Sequence, residues 1–400
     1  MKIIERKEYM DRLKRLRGTP DIKIITGMRR CGKSELLRSF IKFLKEENKE
    51  INIIHVDYAN LKFDKIKDYE SLHSYVESKY VEEKENVLLV DEVQLCNKFE
   101  LAINSLHNSR KYDIYITGSN AFLMSSDLAT YFTGRFIEIP VFPFSFYEYL
   151  TYFEIDGNYF EELPKYLEIG GLAGSYLYKD RSDGAQYIKD VYNTLIKRDL
   201  VDKYGIKEIA LLDTVTDFLM DNVSNLTTAN KIKGTLENNE FAANHVTIGN
   251  YLKYLCNAFM FYKVRRYDVR GKKYLQTNEK YYLVDMSMRY AIHGRRNMDF
   301  GRAYENLVAI ELLRRGYEIY VGKLYEKEID FVVVKNDEKI YIQVSDNISD
   351  EKTLARELAP LKSIQDAYPK ILLANTNHES YDIDGIHIAD ISRWLVDYYI

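Results

Sequence analysis

Gly27-Met28-Arg29-Arg30-Cys31-Gly32-Lys33-Ser34 spells G-x-x-x-x-G-K-S directly after the apolar run Ile22–Thr26. A strand followed by this octet suits a polyphosphate. Glycines at Gly27 and Gly32 let successive backbone N–H groups turn inward without a Cβ clash. Lys33 then reaches the β and γ phosphates, and the Ser34 hydroxyl ligates Mg²⁺. From Glu35 to Leu44 apolar residues recur at helical spacing, so the positive end of a helix points at the same anion. The ligand implied is ATP with Mg²⁺, contacted along the loop from Gly27 to Glu35.

Such a loop requires an acidic companion, and Val87-Leu88-Leu89-Val90-Asp91-Glu92 supplies it as an apolar strand ending in two carboxylates. Asp91 is placed to hold Mg²⁺, and Glu92 to polarise the attacking water. A further strand, Asp113–Thr117, runs into Ser119 and Asn120, which are candidates for sensing the γ phosphate at the neighbouring strand end. Together these segments resemble the AAA+ branch of P-loop ATPases over roughly the first 150 residues. In that group an arginine from the same chain or a neighbour offsets transition-state charge. Thr133-Gly134-Arg135 resembles the element that carries it, which makes Arg135 the candidate; an ordinary ion pair is the alternative. Arg29 and Arg30 are unusual in such a loop, and solvent exposure is the expectation for both.

A chain of 400 residues exceeds one core and implies two or three domains. Its formal charge of −4 gives no global basic field, so any nucleic-acid contact must come from local patches. Cys31, Cys96 and Cys256 have neither pairing nor metal-ligand spacing, which fits a reducing compartment. The N-terminus is charged where a signal sequence is apolar, and no run reaches membrane-spanning length, so a cytoplasmic location and no membrane partner are expected.

Strands are predicted at Lys23–Thr26, Asn52–Asp57, Val87–Val90, Asp113–Thr117 and Phe136–Ile139, an α/β unit with a parallel sheet. Pro140 and Pro143 close it, and an aromatic-rich stretch from Phe144 reads as the core face of a helical connector. Next come helices at Leu211–Asn222, Thr228–Glu237 and Thr247–Phe259, then strand-like runs at Phe261–Tyr267 and Lys280–Asp285, the order of a winged helix-turn-helix. In DNA readers of this shape the third helix enters the major groove, here offering Thr247, Asn250 and Lys253 with Tyr251. Arg265, Arg266, Arg270, Lys272 and Lys273 would form the basic wing tip. A docking platform for protein is the competing role.

From Phe300 an amphipathic helix carrying Glu305 precedes strands with Asp330 and with Gln343-Val344-Ser345. This order resembles the restriction-endonuclease-like fold, whose acids coordinate Mg²⁺ and whose lysine assists the attacking water. Gln343 replaces the third acid and Ser345 the lysine, which implies a degenerate site with phosphodiester cleavage impaired. Over its whole length the chain resembles prokaryotic AAA-type ATP-binding proteins with a C-terminal domain of unknown function, through Gly301, Glu305, Asn306 and Ile329-Asp330-Phe331. The implied division is an ATPase core at 1–143, a helical connector at 144–210, a winged helix at 211–290 and a nuclease-like domain at 291–400. Three functions stay open: an ATPase coupled to DNA, a slow nucleotide-gated switch or scaffold binding protein or its own copies, and an active Mg²⁺-dependent nuclease.

Overall fold

The computed structural model describes residues 2–47, 50–118, 130, 132, 134–237, 244–271, 273–295 and 299–397, with the backbone alone at 273–277. The chain divides into two compact units, residues 1–142 and 143–400.

In the first unit the apolar runs become a five-stranded parallel sheet. Its elements are α1 (Lys7–Leu16), β1 (Ile22–Thr26), α2 (Lys33–Glu47), β2 (Ile51–Asp57), α3 (Tyr69–Glu77), β3 (Glu85–Asp91), α4 (Phe99–Asn108), β4 (Tyr112–Thr117) and β5 (Phe136–Pro140). Strand order is β2-β3-β4-β1-β5. Every residue of β1 is buried, which is why the run lacks period-two alternation. Ile24, Val56, Leu88, Val90 and Ile116 pack on Leu72, Val76, Ile103 and Leu106 of α3 and α4. Each such side chain contributes roughly 1.5–3 kcal/mol of burial. Lys23 is the exception within β1; its ammonium lies 2.5 Å from Asp113 and 2.7 Å from the Thr19 carbonyl. Because β4 is inserted between β1 and β3, the sheet edge that carries the loop after Thr26 also carries Asp91 and Thr117.

The second unit opens with helices α5 (Phe146–Phe153), α6 (Tyr159–Ile169), α7 (Arg181–Thr194, continued π-helically over Leu195–Asp202), α8 (Ile209–Asp221), α9 (Ala229–Glu237) and α10 (His245–Asn257). A hairpin of β6 (Phe261–Asp268) and β7 (Lys273–Leu283) leads to α11 (Met286–His293) and α12 (Phe300–Arg314). Then come β8 (Glu318–Leu324), β9 (Lys327–Lys335), β10 (Glu338–Ser345), α13 (Glu351–Lys362), β11 (Lys370–Ala374), β12 (Tyr381–Ile383), β13 (Ile386–Asp390) and α14 (Ile391–Val396).

The expected succession of three helices and a hairpin is present, but the hairpin does not stand free. Strand β6 pairs in parallel with β8 through Arg266↔Val321, Tyr267↔Gly322 and Asp268↔Lys323, which extends one sheet to eight strands in the order β12-β13-β11-β10-β9-β8-β6-β7. A boundary at residue 290 therefore falls between elements that share a sheet. The second hairpin strand also starts earlier than the predicted Lys280–Asp285, at Lys273, and of the residues assigned to a wing tip Arg265 and Arg266 are already strand residues of β6.

Candidate nucleotide-binding site

The loop after β1 has the backbone its glycines predict. Gly27 sits at φ 139° and Gly32 at φ 100°, and a Cβ on Gly27 would lie 2.1 Å from the Val141 carbonyl oxygen. Arg30 also has positive φ, at 67°. Helix α2 begins at Lys33, with Leu36 N–H donating to Gly32 O. The Lys33 side chain is buried, and its ammonium donates to Gly27 O at 2.9 Å and Met28 O at 2.8 Å, so it lies across its own loop. Met28 and Cys31 face the core and offer the loop only backbone. Arg30 is exposed as expected, whereas Arg29 is half-buried; Ser34 and Glu35 stand half-buried on the first turn of α2.

Asp91 ends β3 and is buried. Its Oδ1 accepts from the Thr117 hydroxyl, and that hydroxyl accepts from Glu92 N–H at 3.1 Å. Glu92 has a left-handed backbone, φ 56°, and its carboxylate accepts from Gln94 Nε2. Thr117 thus ties both acids to the neighbouring strand. The sequence pointed two residues further on, to Ser119 and Asn120, which lie outside the described residues. A threonine directly after the apolar stretch Ile114–Ile116 was the available signal.

Arg6 was not foreseen. Only 6% exposed, it donates from Nη1 to Cys31 O at 3.1 Å and from Nη2 to Phe142 O at 3.0 Å, and its guanidinium lies 4.4 Å from the Tyr9 ring centroid. It fastens the loop to the segment after β5. Nothing in its charged N-terminal surroundings marked it for burial.

Arg135 is not where a same-chain arginine must be. It precedes β5, its carbonyl accepts from Ile22 N–H at the start of β1, and its exposed side chain donates to Asn108 at 2.8 Å. The length of β1, about 16 Å at 3.3 Å per residue, separates it from Gly27. Its hydrogen-bond partner is an amide rather than a carboxylate, so an ion pair does not describe it either.

In the second unit Glu305 and Asp330 do come together, around a residue that sequence missed. Lys280 of β7 is buried, and its ammonium lies 2.8 Å from Glu305 Oε1, 2.8 Å from Glu328 Oε1 and 3.8 Å from Asp330 Oδ1. Tyr282 OH also donates to Glu305, at 2.8 Å. Gln343 accepts from Asp330 N–H at 3.3 Å and donates to Glu357 at 3.3 Å. Burial and the Glu305 charge push the Asp330 carboxyl up to about 8, against the opposing pull of Lys280. Burial alone would lower Lys280, yet Glu305, Asp330 and Glu328 outweigh it and hold the ammonium above its usual range. The cationic partner counted as lost at Ser345 is therefore present from another strand. It occupies the space between the acids, and among the described residues no His, Cys, Asp or Glu group is arranged to hold a metal. The residues do not fit a nuclease metal centre. Alternation with Tyr282 on one strand face was the overlooked signal for a buried Lys280.

On α10, Asn250 and Lys253 are exposed and Thr247 is half-buried, while Tyr251 packs into the core. On the hairpin Arg265 and Arg270 are exposed, Arg270 lying 5.1 Å from the Tyr325 ring centroid; Arg266 is half-buried, with its Nε enclosed and without a hydrogen-bond partner among the described residues. Lys272 lies outside the described residues, and for Lys273 only the backbone is described.

The site and sheet of the first unit define an AAA+ P-loop domain, and residues 19–150 match the family model described as "AAA domain". The chain belongs to the same family as an "Uncharacterized protein" of Haemophilus influenzae, to which it is 36% identical over 98% of this chain and 99% of that one. It is also similar to the "Uncharacterized protein MJ1544" of Methanocaldococcus jannaschii, at 25% identity over 94% of this chain and 88% of that one. Residues 160–299 match a second model, "Domain of unknown function (DUF8612)". Among solved structures, the Aeropyrum pernix Orc1 protein in complex with DNA aligns with 72% of this chain and 92% of that chain at 10% identity and a TM-score of 0.32, too low an overlap to inform either fold or ligand. Among the described residues no helix is long and apolar enough to cross a membrane.

Proposed function

We propose that the chain is a Mg²⁺-dependent ATPase that couples its nucleotide state to the second unit, with DNA as the partner. The observation that carries this reading is the Lys33 ammonium resting on Gly27 O and Met28 O, at the sheet end that also carries the buried Asp91. A cation held, among the described residues, by carbonyls of its own loop is poised for exchange onto an incoming phosphate, where charge-assisted contacts are stronger. Gly27 to Ser34 bind the phosphates through backbone N–H groups and Lys33, and Ser34 and Asp91 hold Mg²⁺. When bound, Mg²⁺ neutralises charge that builds on the phosphate oxygens. Glu92 orients the attacking water, and Thr117 positions both acids. The exposed Asn250, Lys253, Arg265 and Arg270 are the candidate DNA contacts, and the DNA-reading order of helices and hairpin supports a winged-helix role. Arg135 is reserved for a neighbouring copy. A restriction-endonuclease-like scaffold describes residues 291–400, without cleavage, since Lys280 fills the acidic cluster.

A slow nucleotide-gated switch is the second reading. What favours it is Glu92, one of whose carboxylate oxygens already accepts from Gln94 Nε2, a bond that competes with the one an attacking water would donate.

ATP turnover measured with and without duplex and single-stranded DNA, at two salt concentrations, tests the proposal. Stimulation that fades with salt supports the DNA-coupled ATPase; negligible basal and stimulated rates with intact ATP binding support the switch. Lys33→Ala abolishes tight nucleotide binding, and Glu92→Gln keeps binding while turnover stops. Equal turnover in Glu92→Gln and the parent refutes the role given to Glu92.

A further inference from the structure

The second unit contains a cavity of about 400 Å³ that the nucleotide chemistry leaves unused, lined by α5, α6, α7, α11 and the turn between α6 and α7. This is the volume of a site for a small organic molecule. Its walls are apolar and aromatic, with Phe153, Tyr176, Ile188 and Tyr290 among them. Tyr176 is braced by Phe153, with ring centroids 4.9 Å apart, and by Tyr152 at 5.0 Å, so that wall is fixed. Phe153 and Tyr178 remain 40% and 47% exposed, an unusual condition for large rings beside a cavity.

Two features give the cavity polarity. In its lining Ser175 is 5% exposed, and among the described residues its enclosed hydroxyl has no hydrogen-bond partner. Buried hydroxyls are nearly always paired, so one left unpaired in the lining of a cavity marks a place for a ligand atom. Gly184 keeps that place clear. Glycine is a poor residue inside a helix, but a Cβ there would come within 3.3 Å of the Ser175 carbonyl oxygen. At the mouth, Lys179 and Arg181 are exposed and have neither a hydrogen bond nor an ion pair among the described residues. The other charges there are already engaged. Arg295 pairs with Glu168 at 2.6 Å, and Asp180 caps α7 by accepting from Ser182 N–H at 2.7 Å. Asp180 keeps its negative charge in that cap, so Lys179 and Arg181 together leave the mouth with a net excess of one positive charge at the N-terminal end of a 14-residue helix.

We propose that this cavity is a second ligand site, taking an aromatic ring that carries a hydrogen-bonding group, for Ser175, and an anionic group, for Lys179 and Arg181. The ligand is a small organic anion distinct from the nucleotide of the first unit.

Calorimetry on the full chain saturated with ATP and Mg²⁺ tests it, with 6-hydroxy-2-naphthoate, the same naphthoate without the hydroxyl, and the uncharged naphthamide as probes. Nucleotide occupancy keeps the probes out of the phosphate loop. Should the chain fail to bind ATP, the titration is run without nucleotide on Lys33→Ala, so that its outcome is separate from that of the proposed ATPase. Hydroxynaphthoate is expected to bind one to one. Paired charge reversal, Lys179→Glu with Arg181→Glu, lies on the exposed rim and is expected to weaken the anion about tenfold while leaving the amide unchanged. Ser175→Ala is expected to erase the advantage of the hydroxylated probe over the plain naphthoate. Absence of saturable binding at millimolar probe, equal affinity for anion and amide, or indifference of the anion to the charge reversal would each overturn the proposal.

Discussion

Arg6 holds the phosphate loop from beneath: its guanidinium donates to the carbonyl of Cys31 at 3.1 Å, inside a site where the arginine itself is 6% exposed. The same group donates to Phe142 O, so one side chain joins loop and strand exit. Arg6→Ala leaves two carbonyls without that donor, each costing about 1–3 kcal/mol if buried unsatisfied. The expected result is a lower unfolding midpoint together with weaker ATP binding by calorimetry. Arg6→Lys should recover only part of the loss, since a single ammonium lacks the planar fork. Wild-type affinity in Arg6→Ala would show that the loop holds its shape without this tie.

Much of the first unit was legible because its physics is local. Apolar runs bounded by turn residues become parallel strands, fully buried at β1, and the predicted ends differ from those observed by one or two residues, as at Lys23–Thr26 against Ile22–Thr26. What escaped is non-local. Arg6 meets Cys31 and Phe142 across long sequence separations, and Lys280 meets Glu305 and Glu328 only after α12 packs on both β7 and β9. The hairpin was read as a free wing because nothing within residues 261–283 announces the partner strand β8. Asn306 shows the same limit. Its amide bonds both Leu283 N–H and Leu283 O, docking α12 on β7, a role its motif did not reveal.

Thr117 separates positioning from binding. Thr117→Val keeps the shape but removes the hydroxyl that donates to Asp91 and accepts from Glu92 N–H. If Asp91 holds Mg²⁺ as proposed, ATP affinity should change little and kcat should fall about tenfold, in the range expected when a supporting hydrogen bond to a metal ligand is lost. Thr117→Ser should restore most of the rate. An equal loss in both variants would assign Thr117 to packing rather than to holding the acids.

Lys280 is buried and balances Glu305, Glu328 and Asp330, of which Glu328 alone is part-exposed. Lys280→Met retains the stem but leaves Glu305 and Glu328 without their partner, and breaking a buried pair in this way costs about 3–5 kcal/mol. The second unit should unfold at lower denaturant than in the parent. Adding Glu305→Gln to Lys280→Met should recover part of that loss, because it removes one stranded charge; strict additivity of the two changes would mean that they do not interact.

Asp330 sets the sign of a pH effect. Its folded carboxyl is raised from 3.8 to about 8, first by burial and then by Glu305. Between those values the folded chain binds a proton that the unfolded chain has released, so stability falls as pH rises through the window and levels off above about pH 8. The slope from one such group is at most about 1.4 kcal/mol per pH unit. Lys280 does not oppose it there, being charged in both states below its ordinary range. Glu305, raised by burial, acts in the same direction. Asp330→Asn can still accept from Val344 N–H, a bond of 2.9 Å in the parent, and it has no proton to lose. Chemical denaturation at intervals from pH 5 to pH 8 should therefore give a shallower decline in the Asn variant than in the parent. Parallel profiles would mean that Asp330 stays ionised in the folded chain, with Lys280 prevailing over its burial.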